Sequence, residues 1–318
     1  MSQFVLKIIL FALPILFFVF FVEYIARQIP NDYSYKNEYL SKNAENIEIL
    51  VLGSSHSFYG INPDHFTLNA FNASHVSQSL NYDYFIFKKF KNNFSNIKVL
   101  VLPISYVTLF SRLEDGIEDW RVKNYSIYYE CEYHSSLKYK TEILNTKPMK
   151  IGKQVVKYLW SNGKTKNITV SKLGFGLNYS NQEQSDLIAT GISAAKRHTK
   201  KKLNKLDGNL ELINKLITDS SKMDIKVFLF TPPALSSYIE NLNTQQLLIM
   251  QINISNIVKK HSNVEYHSFL QDDRFVKGDF KDADHLNGIG AKKLTKIIDR
   301  MINNKKEWVA MGLSNKNT

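Results

Sequence analysis

Three short apolar runs, Ile47–Leu52, Ile97–Leu102 and Lys226–Thr231, most constrain what this chain can fold into. They are too short for buried helices and too evenly apolar for strands with one wet face. Each therefore reads as a strand covered on both sides. Thr67–Asn72 and Val264–His267 are expected to add two more strands. Between them lie helical patterns at Gln78–Lys91, around Leu210, Ile213 and Ile217, and at Gln245–Lys259. Leu294, Ile297, Ile298, Met301 and Ile302 mark one face of a closing helix, started by Asn287 or Gly288. Strand and helix in alternation argue for an α/β fold on a central parallel sheet.

The first run ends in Gly53-Ser54-Ser55. Gly53 permits a tight turn, and the two hydroxyls after it stand at a strand's C-terminal end, where open α/β sheets place ligands. Ser54, Ser55 and Ser57 could simply cap the next helix. A hydroxyl becomes a nucleophile only when a base reaches it and a carboxylate orients that base. The chain offers both near its other end, in Asp282-Ala283-Asp284-His285-Leu286-Asn287. The three-residue spacing lets Asp282 fold back on the His285 ring, whereas Asp284, the immediate neighbour, is the poorer orienter. Ser55, His285 and Asp282 are thus the candidate triad.

Gly53-Ser54-Ser55 followed far downstream by Asp282-x-x-His285-Leu-Asn resembles the SGNH (GDSL-like) hydrolase superfamily. The resemblance is closest to its membrane-anchored branch, which includes D-alanyl transfer and polysaccharide O-acetylation proteins. It implies a three-layer α/β fold, with Ser55 as nucleophile and Ser54 in the family's Asp place. It also implies acyl-ester transfer to a cell-envelope glycan, without metal or organic cofactor, beside a membrane-bound O-acyltransferase partner. Two blocks depart from the family pattern. Asn72-Ala73-Ser74 lacks the glycine of the second block, and Leu102–Tyr106 lacks the asparagine of the third. The oxyanion would then rest on the Ser55 N–H, helped by the Ser74 N–H, the Ser105 hydroxyl or an inward-turned Asn72. A de-O-acetylating esterase and a non-catalytic accessory of an acyltransferase complex remain alternatives.

Phe4–Ile25 is apolar apart from Lys7, Glu23 and Tyr24, and as a helix would span roughly 33 Å, close to a bilayer's hydrocarbon thickness. With no small-residue cleavage site after it, an uncleaved anchor is expected. The protein would then be single-pass in the cytoplasmic membrane, with its catalytic domain outside the cytoplasm. The expected partition is an anchor at 1–28, a polar connector at 29–46, the α/β domain at 47–305 and a tail at 306–318. An insertion or lid is expected at about 106–200, where periodicity fades. The net charge of +12 favours polyanions such as acidic polymers or phospholipid head groups, and no nucleic-acid module is visible. The single cysteine, Cys131, excludes an internal disulfide. The remaining histidines, His56 and His198 among them, read as structural or exposed, with no metal-binding spacing.

Overall fold

The computed structural model describes residues 2–179 and 184–304, so the expected tail at 306–318 lies outside the described residues. In chain order the elements are α1 (Ser2–Gln28), α2 (Asp32–Asn43), β1 (Ile49–Val51), α3 (Ser55–Phe58), β2 (Ala70–Asn72), α4 (Leu80–Phe90) and β3 (Val99–Pro103). Next come α5 (Val122–Tyr128), α6 (Pro148–Trp160), α7 (Leu187–His198), α8 (Leu206–Ser221), β4 (Lys226–Thr231) and α9 (Ser236–Ile239). The chain closes with α10 (Thr244–Lys260), β5 (Val264–Ser268), β6 (Phe280–Asp282), β7 (His285–Leu286) and α11 (Gly288–Asn303). By their contacts these residues form two compact units, 1–38 with 117–168, and 39–116 with 169–318.

The larger unit is built on the expected sheet, five parallel strands in the order β2-β1-β3-β4-β5. Alternation along each strand sends Ile49, Val51, Val99, Val101, Phe228 and Phe230 to one face, where they pack with Leu294 and Ile298 of α11. Leu50, Leu100, Leu102, Val227 and Leu229 alternate with them and are equally buried. On the helical layers, α8 touches both β4 and α4. After β1 the chain moves to one edge of the sheet and after β3 to the other. The crevice between their C-terminal ends is therefore the topological switch point, where such sheets bind ligands.

Gly53 makes the turn out of β1. Its φ of +111° belongs to glycine, and a Cβ there would stand 2.3 Å from the Pro103 ring at the end of β3. The Gly53 N–H donates to the buried Asp83 carboxylate at 2.6 Å, and Gln78 Nε2 donates to the same oxygen at 2.6 Å. Burial pushes the Asp83 carboxyl up to about 7, against the opposing pull of those two donors. A buried acid on α4 thus fixes the backbone immediately before the two serines.

The stretch read as a polar connector contains α2, whose residues up to 38 belong to the smaller unit. Its apolar content is carried by tyrosine bodies rather than aliphatic residues, which hides it from a pattern search. Tyr33 is buried edge-on to Tyr125 of α5, with centroids 5.2 Å apart, and Lys36 is fully buried. Burial lowers the Lys36 ammonium to about 7, although Asp32 pulls the other way. Glu23, near the end of α1, accepts the backbone N–H groups of Glu142 and Ile143 at 3.0 and 3.1 Å. Arg27 bonds Glu23 at 2.7 Å and the Lys140 carbonyl at 2.6 Å. The span expected as one insertion at about 106–200 is thus divided, since 117–168 groups with the N-terminal helix while its flanks belong with the sheet. Among the described residues one helix, at Gln3–Gln28, is long and apolar enough to cross a membrane.

Candidate active site

Ser55 opens α3 directly after the Gly53 turn, and His285 opens β7, 230 residues later. Their side chains meet: Ser55 Oγ lies 2.8 Å from His285 Nε2. The Asp282–His285 segment is a tight antiparallel hairpin in which the two named residues pair across the turn. Asp282 Oδ1 accepts the backbone N–H groups of Asp284 and His285 at 3.2 and 2.9 Å, which locks the turn. The same carboxylate reaches His285 Nδ1 at 2.9 Å through Oδ1 and 3.2 Å through Oδ2. Asn287 anchors the far side of the hairpin. Its Oδ1 caps α11 by accepting from Ile289 and Gly290 N–H at 2.9 and 3.1 Å. The capping alternative for the serines is not realised, since Ser54, the N-cap of α3, makes no side-chain cap bond.

Beneath the hairpin lies a cluster that the sequence did not reveal. Asp284, only 3% exposed, stands between three imidazoles: His56 Nε2 at 3.5 Å, His285 Nδ1 at 3.5 Å and His198 Nδ1 at 3.9 Å. His56 stacks on His285 with ring centroids 4.8 Å apart. His198 also bonds the Tyr238 hydroxyl at 2.8 Å. Burial alone would lower His285, but the Asp284 and Asp282 charges overcome it and raise its pKa to about 10. Burial lowers His56 and takes His198 down to about 4, in each case outweighing the pull of Asp284. Asp284 itself is held well below the usual carboxylate range: desolvation pushes it up, but the charges and hydrogen bonds of His285 and His56 together outweigh that burial. The carboxylates beside His285 thus favour its charged form, while burial favours the neutral form of His56 and His198.

His56, Asp284 and His285 bring ligand atoms within 4.8 Å of one another, a spacing that a divalent cation can accept. Both ring nitrogens of His285 are committed, however, Nδ1 to Asp282 and Nε2 to Ser55. That leaves two of the three groups for a cation, too few for a protein-held site. Tyr59, itself buried, and Tyr179 stack 3.8 Å apart, and both turn edge-on to the His285 ring.

The three expected oxyanion helpers each have partners of their own. Asn72 is fully buried, and its Nδ2 donates to the Ser57 and Ile61 carbonyls, each at 2.8 Å. Its Oδ1 accepts the Ser74 N–H at 3.1 Å and also bonds the Ser74 hydroxyl. The Asn72 amide and the Ser74 N–H are thereby spent on holding β2 to the loop after α3. Ser105 Oγ is paired with Thr108 Oγ1 at 2.8 Å. The Ser55 N–H, which bonds no carbonyl among the described residues, is the donor that stays available beside its own hydroxyl. Asn72→Ala should consequently behave as a stability mutation. The buried Ile61 carbonyl loses the Asn72 amide, while the Ser57 carbonyl keeps the Ile61 N–H, at a cost of about 1–3 kcal/mol, which a shift of the chemical denaturation midpoint would register. An unchanged midpoint with reduced turnover would instead return Asn72 to the oxyanion.

No family model matches the chain, and no curated protein matches it. Among solved structures it is similar to a provisionally named acylhydrolase from Bacteroides fragilis. That likeness covers 84% of this chain and 95% of that one, at 11% identity and a TM-score of 0.42.

Proposed function

We propose that this is a membrane-anchored serine enzyme that transfers or hydrolyses acyl esters on a cell-envelope polysaccharide, with α1 as the anchor. The observation that carries the reading is the unbroken line from Ser55 Oγ to His285 Nε2 to the Asp282 carboxylate, at 2.8 and 2.9 Å. It stands at the end of the strand where ligands of such sheets bind.

Once His285 has lost its Nε2 proton to solvent, Ser55 Oγ attacks the acyl carbonyl carbon and His285 takes the hydroxyl proton. The tetrahedral oxyanion is held by the Ser55 N–H. Collapse expels the donor's alkoxide, which leaves with the proton from His285. An acceptor hydroxyl then repeats the sequence in reverse, a sugar hydroxyl giving O-acylation and water giving hydrolysis. Asp282 holds the ring in the tautomer that leaves Nε2 free to accept. Acetyl as the acyl group and an acyltransferase as its source come from the family resemblance.

The spent oxyanion donors favour transfer over hydrolysis. Each missing donor costs about 100- to 1,000-fold in rate, so a poorly oriented water reacts slowly while a bound polymer hydroxyl gains from its placement. The same observation supports a second reading, an accessory that binds polymer without chemistry.

Incubating the full chain in detergent with an activated acetyl ester, then measuring intact mass, separates the two. One acetyl group on Ser55, absent from His285→Ala, is the expected result. A chain that never acylates, together with Ser55→Ala restoring glycan modification in a deletion strain, would establish the accessory.

A further inference from the structure

Helix α6 carries two apolar sectors, and only one is used. Ile151, Val155 and Tyr158 face inward onto Val22, Ile25, Ala26 and Ile29, at and just beyond the end of α1. At about 100° per residue, Met149, Gly152, Val156 and Trp160 fall on a separate stripe with Leu159 at its edge. That stripe is bare: Met149 is 74% exposed and Trp160 87%. Lys150, Lys153 and Lys157 occupy the adjoining sector. From Lys147 to Lys166 the chain holds six lysines and no acidic residue.

We infer that α6 lies in the membrane interface, its apolar stripe among the upper acyl chains and its lysines on anionic phosphate head groups. The inference rests on the reading of α1 as a transmembrane anchor. A hydrocarbon layer of about 30 Å consumes about twenty residues of helix, which from Gln3 reaches to the neighbourhood of Val22. The contacts of α6 begin at Val22 and continue to Ile29, so they fall at the depth of the head groups. A helix held there with tryptophan on its apolar face and lysine beside it has the pattern of an interfacial helix. The charge complement is equally specific, because a lysine cluster with no acid among it meets phosphates rather than another basic copy of this chain.

The test uses the full chain with Trp120→Phe and Trp308→Phe, leaving Trp160 as the sole tryptophan. It is reconstituted in vesicles of phosphatidylcholine, with and without phosphatidylglycerol, whose acyl chains carry bromine near the head group. Trp160 emission should shift to the blue and lose most of its intensity to the bromines, more so with phosphatidylglycerol. Lys153→Glu with Lys157→Glu should abolish the phosphatidylglycerol increment. A chain that resists alkaline extraction while Trp160 still emits as if in water, indifferent to bromine, would overturn the inference and leave the anchor standing. Blue-shifted but unquenched emission would mean that protein covers the stripe, which overturns it too. Equal quenching in both lipids would overturn the assignment of the lysines. A chain stripped from the vesicles by alkali would remove the anchor and the inference together.

Discussion

Ser55→Ala should abolish acyl-enzyme formation and reduce ester turnover by about 10⁴-fold or more, with the folded state intact, since the side chain is small and, among the described residues, its hydroxyl bonds only His285. The more discriminating companion is Asp282→Asn. An asparagine can still accept the backbone N–H groups of Asp284 and His285, so the hairpin has what it needs to close. Its uncharged oxygen would keep the 2.9 Å place beside His285 Nδ1 while the amide nitrogen takes the 3.2 Å place as a competing donor, so the ring loses the negative charge that stabilises its imidazolium and is no longer held in the one tautomer that accepts from Ser55. A loss of about 10⁴-fold with little change in melting temperature is expected. Asp284 does not take over the role, because its nearer oxygen is 3.5 Å from Nδ1 and outside good hydrogen-bond range. A rate within tenfold of the wild type in Asp282→Asn would remove Asp282 from the mechanism.

The second large effect is on pH dependence. Two carboxylates beside the ring favour its charged form and place His285 at about 10. An imidazolium cannot take the Ser55 proton, so kcat/KM for a small ester should climb through neutral pH and keep rising into the alkaline range. Asp284→Asn deletes one of the two charges. The limb must then move to lower pH, and the variant should gain on the wild type most at the acid end. The sign for folding is opposite. A histidine raised above its ordinary value of about 6.5 contributes stability that is complete below that value and is lost as pH rises toward its folded pKa. Profiles of kcat/KM for the two proteins decide the matter. A limb left in place by Asp284→Asn would show that Asp284 does not set the charge of the ring, and would leave the buried triple-histidine cluster without a role in the chemistry.

The sequence by itself determined the sheet and the position of the serine. A parallel strand buried on both faces has to be an unbroken apolar run, so Ile49–Val51, Val99–Pro103 and Lys226–Thr231 were legible without partners. The turn after β1 was legible for a related reason, since only glycine tolerates both the φ of +111° and the Pro103 ring against it. The Asp-x-x-His spacing was local as well, because a carboxylate and a ring three residues apart meet within one hairpin. What lay outside such local rules required the tertiary structure. Hydrogen-bonding capacity is finite, and whether Asn72, Ser74 and Ser105 are free for an oxyanion depends on which carbonyls and hydroxyls stand next to them. The Asn72 amide and the Ser74 N–H are bonded to their neighbours, and Ser105 Oγ shares a bond with Thr108 Oγ1. His56 and His198 read as unrelated residues because no periodicity links the loop after β1, the end of α7 and the β6–β7 hairpin. They converge on Asp284 only when the sheet has brought those three places together. The stripe on α6 was hidden for the converse reason. A helix with apolar residues on two sectors has no single polar face for a pattern to find, and only the packing of Ile151 and Val155 against α1 shows which sector is left over.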